Sequence, residues 1–80
     1  MVEIAIVDDE RNLADSLKLE ISEMGHQVKT FYTAQPFLDY IEISEPDLVI
    51  LDLQLPDIHG MEVLHSIKLN LKSTLVIIMT

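Results

Sequence analysis

Two stretches of this chain run almost without interruption from apolar residues into acid. Val2 to Val7, broken only by Glu3, ends on Asp8-Asp9, and Leu48-Val49-Ile50-Leu51 ends on Asp52. A continuous apolar run bounded by polar residues is the pattern of a parallel strand covered on both faces; a strand with one wet face alternates instead. Parallel neighbours need a crossover, usually a helix, between them. The feature therefore restricts the chain to an α/β layer arrangement with acids at the carboxyl ends of its strands.

The intervening segments supply the helices. Leu13, Leu17, Ile21 and Met24 recur at helical spacing among Lys18, Glu20 and Glu23, and Gly25 follows where a left-handed residue closes a helix. His26 to Phe31 is short and mixed, with Val28 its one aliphatic residue, and is expected as an edge strand. Thr33 is expected as the N-cap of a second helix, which places Pro36 at N3 and makes Tyr32 and Phe37 a hydrophobic staple. Leu38, Tyr40 and Ile41 continue that apolar face until Pro46, which drives Glu45 out of the helical region. Gln54 to Gly60 reads as a loop shaped by Pro56 and Gly60. Met61, Leu64, Ile67 and Leu71 give a third helical face, and Leu75 to Met79 a β-branched fourth strand. No linker, repeat or low-complexity tract divides the chain, so residues 1–80 read as one domain.

Composition narrows the partners. Hydrophobic residues at 49% and charged residues at 24% suit a folded core. Fourteen acidic against five basic side chains give a charge of −9, which disfavours direct binding to nucleic acid or anionic membrane. The absence of cysteine excludes disulfides and thiolate metal sites. The longest apolar run, Leu75 to Met79, is too short to span a bilayer, and Met1-Val2-Glu3-Ile4 does not begin a signal peptide, so a cytoplasmic location is expected.

In doubly wound sheets, ligands bind beyond the carboxyl ends of the strands where strand order reverses, which in the flavodoxin-like order lies between the first and third strands. Asp8, Asp9 and Asp52 belong to those two ends. Paired acids after a strand also occur simply as residues favoured by a helix N-terminus. An acid directly continuing Val49-Ile50-Leu51, however, is costly unless it faces a polar cleft. Converging carboxylates repel one another and raise a proton affinity unless a cation neutralises them. A hard divalent ion suits such oxygen donors, and magnesium needs few protein ligands because it retains water. His59 and His65 lack a third nitrogen or sulfur ligand at suitable spacing and read as surface residues, and Glu20, Glu23, Glu42 and Glu45 as a solvated face.

The strand-end pair Asp8-Asp9, the segment Asp52-Leu53-Gln54-Leu55-Pro56-Asp57-Ile58-His59-Gly60, and Thr80 closing an apolar strand together resemble the receiver domain of two-component response regulators. The resemblance spans the whole chain. It implies a flavodoxin-like doubly wound parallel sheet truncated after the fourth strand, a domain incomplete at its C-terminus, because the family's fifth-strand lysine and aromatic switch residue have no match here. It further implies that Asp52 is the phosphoacceptor. Asp9 and Asp52 would bind Mg2+ with the Gln54 main-chain carbonyl, Asp8 assisting directly or through water, and Thr80 would be the switch hydroxyl. The implied partners are a sensor histidine kinase and an output domain or downstream protein.

Three functions remain open at this level. One is a phosphorylation switch, which assists its own phosphorylation chemistry but does not turn over an external substrate. A second is a receiver that serves only as an interaction module. A third is a magnesium-dependent aspartyl-phosphate phosphohydrolase, disfavoured because such enzymes place a second acid where this chain has Gln54. The apolar fourth strand is also expected to promote self-association.

Overall fold

The computed structural model describes residues 2–79. In chain order the elements are β1 (Glu3–Val7), α1 (Arg11–Glu23), β2 (Gln27–Phe31), α2 (Ala34–Ile41), β3 (Leu48–Asp52), α3 (Gly60–Asn70) and β4 (Leu75–Met79). All neighbouring strands pair in parallel, in the order β2-β1-β3-β4. The parallel α/β arrangement inferred from the apolar runs and the flavodoxin-like order implied by the resemblance are the observed ones, and the mixed segment after Gly25 forms an edge strand as expected. No helix among the described residues is long and apolar enough to cross a membrane.

Alternation within the buried strands divides the interior into two layers. Ile4 and Ile6 of β1 meet Ala14, Leu17 and Ile21 of α1 on one face. Ala5 and Val7 point the other way, with Val49 and Leu51 of β3, into a larger core closed by Phe37 and Ile41 of α2 and Val63 and Ile67 of α3. Phe37 is the largest fully buried side chain, and burial of an aromatic of this size contributes roughly 2–3 kcal/mol.

Several boundaries and faces differ from the sequence expectation. On α1 the inward stripe is Ala14, Leu17 and Ile21, while Leu13 is 45% and Met24 72% exposed. Ala14 carries too little side chain to stand out in a hydropathy pattern, yet its small size lets the helix approach β1. On α3 the stripe runs through Gly60, Val63 and Ile67 to Leu71, and Met61 faces solvent. Helix α2 stops at Ile41 and not at Pro46, because tight turns bring the Glu42 and Ile43 amides onto the Asp39 and Tyr40 carbonyls. The staple between Tyr32 and Phe37 does not form. Adjacent residues at a strand end face opposite sides, so Tyr32 joins the α1 layer and Phe31 packs edge-on against Phe37, ring centroids 5.6 Å apart.

Two glycines have distinct reasons. Gly25 has φ +96°, the left-handed conformation foreseen beyond α1, with open space around it. Gly60 is buried against the loop it follows: a Cβ there would lie 2.6 Å from the Leu53 carbonyl oxygen, and its N–H donates to that same oxygen at 3.2 Å. Gly60→Ala is therefore expected to cost about 2 kcal/mol or more, because backbone and not a flexible side chain would have to move. Gly25→Ala should cost about 1–2 kcal/mol, the strain of a left-handed residue. Urea unfolding of both variants checks this; an unchanged midpoint for Gly60→Ala would show that Leu53 yields.

Candidate functional site

The register of β1 on β3 builds the site. Val7 pairs with Leu51, so the residues that continue each strand, Asp8 and Asp52, emerge side by side. From β1 the chain moves outward to β2 and then returns to β3 on β1's other side, which makes the β1/β3 boundary the point where strand order reverses. Asp8, Asp9 and Asp52 each offer an oxygen there, all within 4.8 Å of one another. Asp8 is buried at 2% exposure, Asp52 is half-buried and Asp9 is exposed.

Local hydrogen bonds fix the two strand-end carboxylates. Asp8 Oδ1 accepts the Glu10 N–H at 2.9 Å, and Asp52 Oδ1 accepts the Gln54 N–H at 2.9 Å. Each acid thus turns its own chain away from the sheet in an Asx-type turn, which suits Asp at a strand end. The Asp8 N–H donates to the Phe31 carbonyl at 2.9 Å, which also ties β1 to the end of β2. Burial pushes the Asp8 carboxyl above the ordinary carboxylate range; the Glu10 N–H opposes this, and Asp52 and Asp9 reinforce it. Three carboxylates that offer only oxygen donors, crowded at one point where the charged form of Asp8 is disfavoured, fit a hard divalent cation.

The structure thus brings Asp8, Asp9 and Asp52 together, and Gln54 follows Asp52 at the start of the loop. Thr80 lies outside the described residues; the strand leading to it pairs Met79 with Asp52. His59 and His65 are exposed and stand apart from the acidic group, and His59 Nδ1 caps α3 by accepting the Met61 N–H at 3.1 Å. Thr33 occupies the N-cap position of α2 but its side chain makes no capping bond. That work falls to Asp57, whose two carboxylate oxygens accept the Ala34 N–H at 2.8 Å and the Gln35 N–H at 2.9 Å. Nothing local in the sequence signals this bond, because helix and acid are more than twenty residues apart.

A doubly wound parallel sheet with clustered carboxylates at its switch point defines a class of α/β proteins that handle charged ligands at their strand ends. Within that class the response regulator receiver domain matches residues 4–80, and the chain belongs to this family, whose members act as signalling switches. It is 44% identical over 80 residues to the response regulator ArlR of Staphylococcus aureus, covering 100% of this chain and 36% of that protein. The chain therefore spans about a third of the length of the curated relatives it matches. Among solved structures, the receiver domain of a LuxO repressor protein from Vibrio parahaemolyticus superposes with a TM-score of 0.87 at 35% identity, covering 96% of this chain and 59% of that one. The response regulator TrrA of Thermotoga maritima, whose structure is a complex with Mg2+ and BeF, gives a TM-score of 0.77 at 38% identity over 85% of this chain and 59% of that one.

The burial of Asp8 has a measurable cost. A carboxyl whose folded pKa is raised holds more protons folded than unfolded, so its contribution to stability falls as pH rises above about 4 through the raised value. Asp8→Asn removes this contribution. In metal-free buffer the variant should melt several degrees above the parent at pH 7, with the gap closing toward pH 4; each 1 kcal/mol moves the midpoint of a domain this size by roughly 4–8 °C. Equal melting at both pH values would mean that the Asp8 charge is already compensated.

Proposed function

We propose that residues 1–80 form a receiver domain in which Asp52 accepts a phosphoryl group from a phosphohistidine of a sensor kinase, in a magnesium-dependent transfer that alters affinity for an output domain or partner. The observation that carries this reading is the convergence of Asp8, Asp9 and Asp52 oxygens within 4.8 Å at the switch point of the sheet. In the transfer, an Asp52 carboxylate oxygen attacks phosphorus, forming a P–O bond as the P–N bond breaks. The electron pair leaves with the imidazole nitrogen.

Asp52 suits the role because β3 holds its backbone while its side chain is half-buried at the strand end. Asp9 and Asp52, with the Gln54 main-chain carbonyl, would hold Mg2+, and Asp8 would complete the negative charge directly or through water. When bound, the ion offsets the repulsion between carboxylate and phosphoryl oxygens. The Gln54 N–H bond to Asp52 Oδ1 occupies one carboxylate oxygen and fixes the rotamer of the other. Thr80 is assigned to sense the phosphoryl group through its hydroxyl. The family membership supports a cytoplasmic site of action, and the charge of −9 supports protein partners over direct nucleic-acid contact.

Two measurements test this. Magnesium should raise the melting temperature, since a ligand at a hundred times its Kd adds about 2.7 kcal/mol to the folded state. The shift should be lost in Asp9→Ala. In a version of the domain that carries the family's fifth-strand lysine, incubation with acetyl phosphate and magnesium should give a hydroxylamine-sensitive acyl phosphate that Asp52→Asn abolishes. Residues 1–80 alone should label weakly or not at all, because the phosphoryl charge is less compensated. Labelling that persists in the variant would move the acceptor elsewhere.

Self-association is a second property supported by a specific observation. Strand β4 forms an edge of the sheet, and Leu75 is 72%, Ile77 51% and Ile78 43% exposed there. Uncharged apolar edges recruit further strands. Sedimentation of the 80-residue chain should show mass increasing with concentration, and a charged residue at Ile77 or Ile78 should reduce it. A monomer at all concentrations would overturn this reading without touching the acidic site.

A further inference from the structure

The loop between β3 and α3 carries one carboxylate that the chemistry above does not use. Asp57 reaches across to α2, where its two oxygens accept the Ala34 N–H at 2.8 Å and the Gln35 N–H at 2.9 Å. These amides begin α2 and, like all first-turn amides, have no partner within their own helix. Since the Thr33 side chain makes no capping bond, a residue from a different loop caps this helix. The two donors hold the Asp57 carboxyl below the ordinary carboxylate range, as expected for a carboxylate that accepts backbone N–H bonds in its charged form.

The same loop is held at two further points. Its start is fixed by the Gln54 N–H on Asp52 Oδ1 at 2.9 Å. Its base is closed by the Gly60 N–H on the Leu53 carbonyl at 3.2 Å, with no room for a side chain between them. Gln54, Leu55 and Pro56 therefore lie between anchors on either side, and Asp57 is the only one of these anchors among the described residues that connects the loop to another helix. Releasing it removes the hydrogen bonds that tie Gln54 to His59 to α2, leaving the packing of Leu55 and Ile58 against the larger core between the two end anchors.

We propose that Asp57 is a positioning residue for magnesium: by pinning the loop to the start of α2, it pre-orients the Gln54 main-chain carbonyl toward the cation held by Asp9 and Asp52. This rests on the receiver reading given above. Asp57 does not touch the ion; it lowers the conformational freedom the loop must surrender when the carbonyl is engaged. It also makes the start of α2 and the acidic site parts of one hydrogen-bonded unit.

Helix capping and carbonyl positioning are separable by experiment. Magnesium chloride is titrated calorimetrically into the 80-residue chain, its Asp57→Ala variant, and Asp57→Ala combined with Thr33→Asp, which returns an aspartate cap to α2 from its own N-cap position without tethering the loop. Thermal melts of the same proteins report stability. Asp57→Ala should lower the melting temperature and weaken magnesium roughly tenfold, at the low end of losses from residues that support metal ligands. Adding Thr33→Asp should recover melting temperature and leave magnesium binding weak. Should affinity recover along with stability, or never fall, Asp57 is a helix cap only and the proposal is overturned. Asp57→Asn, which retains one acceptor oxygen, supplies the same comparison if Asp57→Ala does not fold, and an affinity equal to the parent's would overturn the proposal in that background. Absence of magnesium binding by the parent, or binding unchanged in Asp9→Ala, defeats the receiver reading itself and with it the role of Asp57; a parent that binds through Asp9 but is indifferent to Asp57 defeats only the latter.

Discussion

Parallel pairing of β1 with β3 is the constraint on which the site depends. With Val7 opposite Leu51, the next residue of each chain segment is an aspartate, and the two emerge side by side where the β1–β3 ladder ends, Asp52 pairing on its other side with Met79 of β4. Strand order, helix placement and both core layers follow from keeping that pair of strands central. The layers are unequal: α1 alone covers the side lined by Ile4 and Ile6, whereas α2 and α3 jointly seal the side lined by Ala5, Val7, Val49 and Leu51. Negative charge at the strand ends thus sits at the rim of the best-packed part of the molecule, where its geometry is least free to relax.

Under the proposed function, that arrangement trades stability for cation binding. Asp8 is almost fully enclosed beside two further carboxylates, and burial together with its neighbours favours its protonated form. A sequence selected for stability alone would place an amide or a small residue there. Retaining the acid makes sense when a cation supplies the missing positive charge, and a small domain with a modest core has little stability to spare.

Much of this was legible in the sequence because the decisive features were periodic or terminal. The continuous runs at Ile4 to Val7 and Leu48 to Leu51 specified buried parallel strands, and the acids after them are the ones the sheet brings together. Gly25 marked the end of α1. The misread positions share a physical cause, which is that they depend on side chains too small or too distant to leave a pattern. Ala14 and Gly60 face inward because close approach requires small residues, so hydropathy spacing favoured Leu13 and Met61 in their place. Asp57 caps a helix far behind it in the chain, and Phe31 takes the place assigned to Tyr32 because alternation at the end of β2 settles which ring enters the larger core.

The central position of β1 also has a kinetic consequence. Its neighbours come from distant parts of the chain: Val2 bonds to His26 across 24 residues, and Glu3 to Asp47 across 44. Contacts at such separation form late, after the entropy of closing large loops has been met. Helices α1 and α2 can flicker into existence early, but an aspartate triad cannot exist in any partly folded chain that lacks the β1–β3 ladder. If the acidic cluster holds a divalent ion as proposed, metal capture is a reporter of completed topology: a refolding chain should become competent to hold the ion in the same step that docks its first strand against its third, and no sooner.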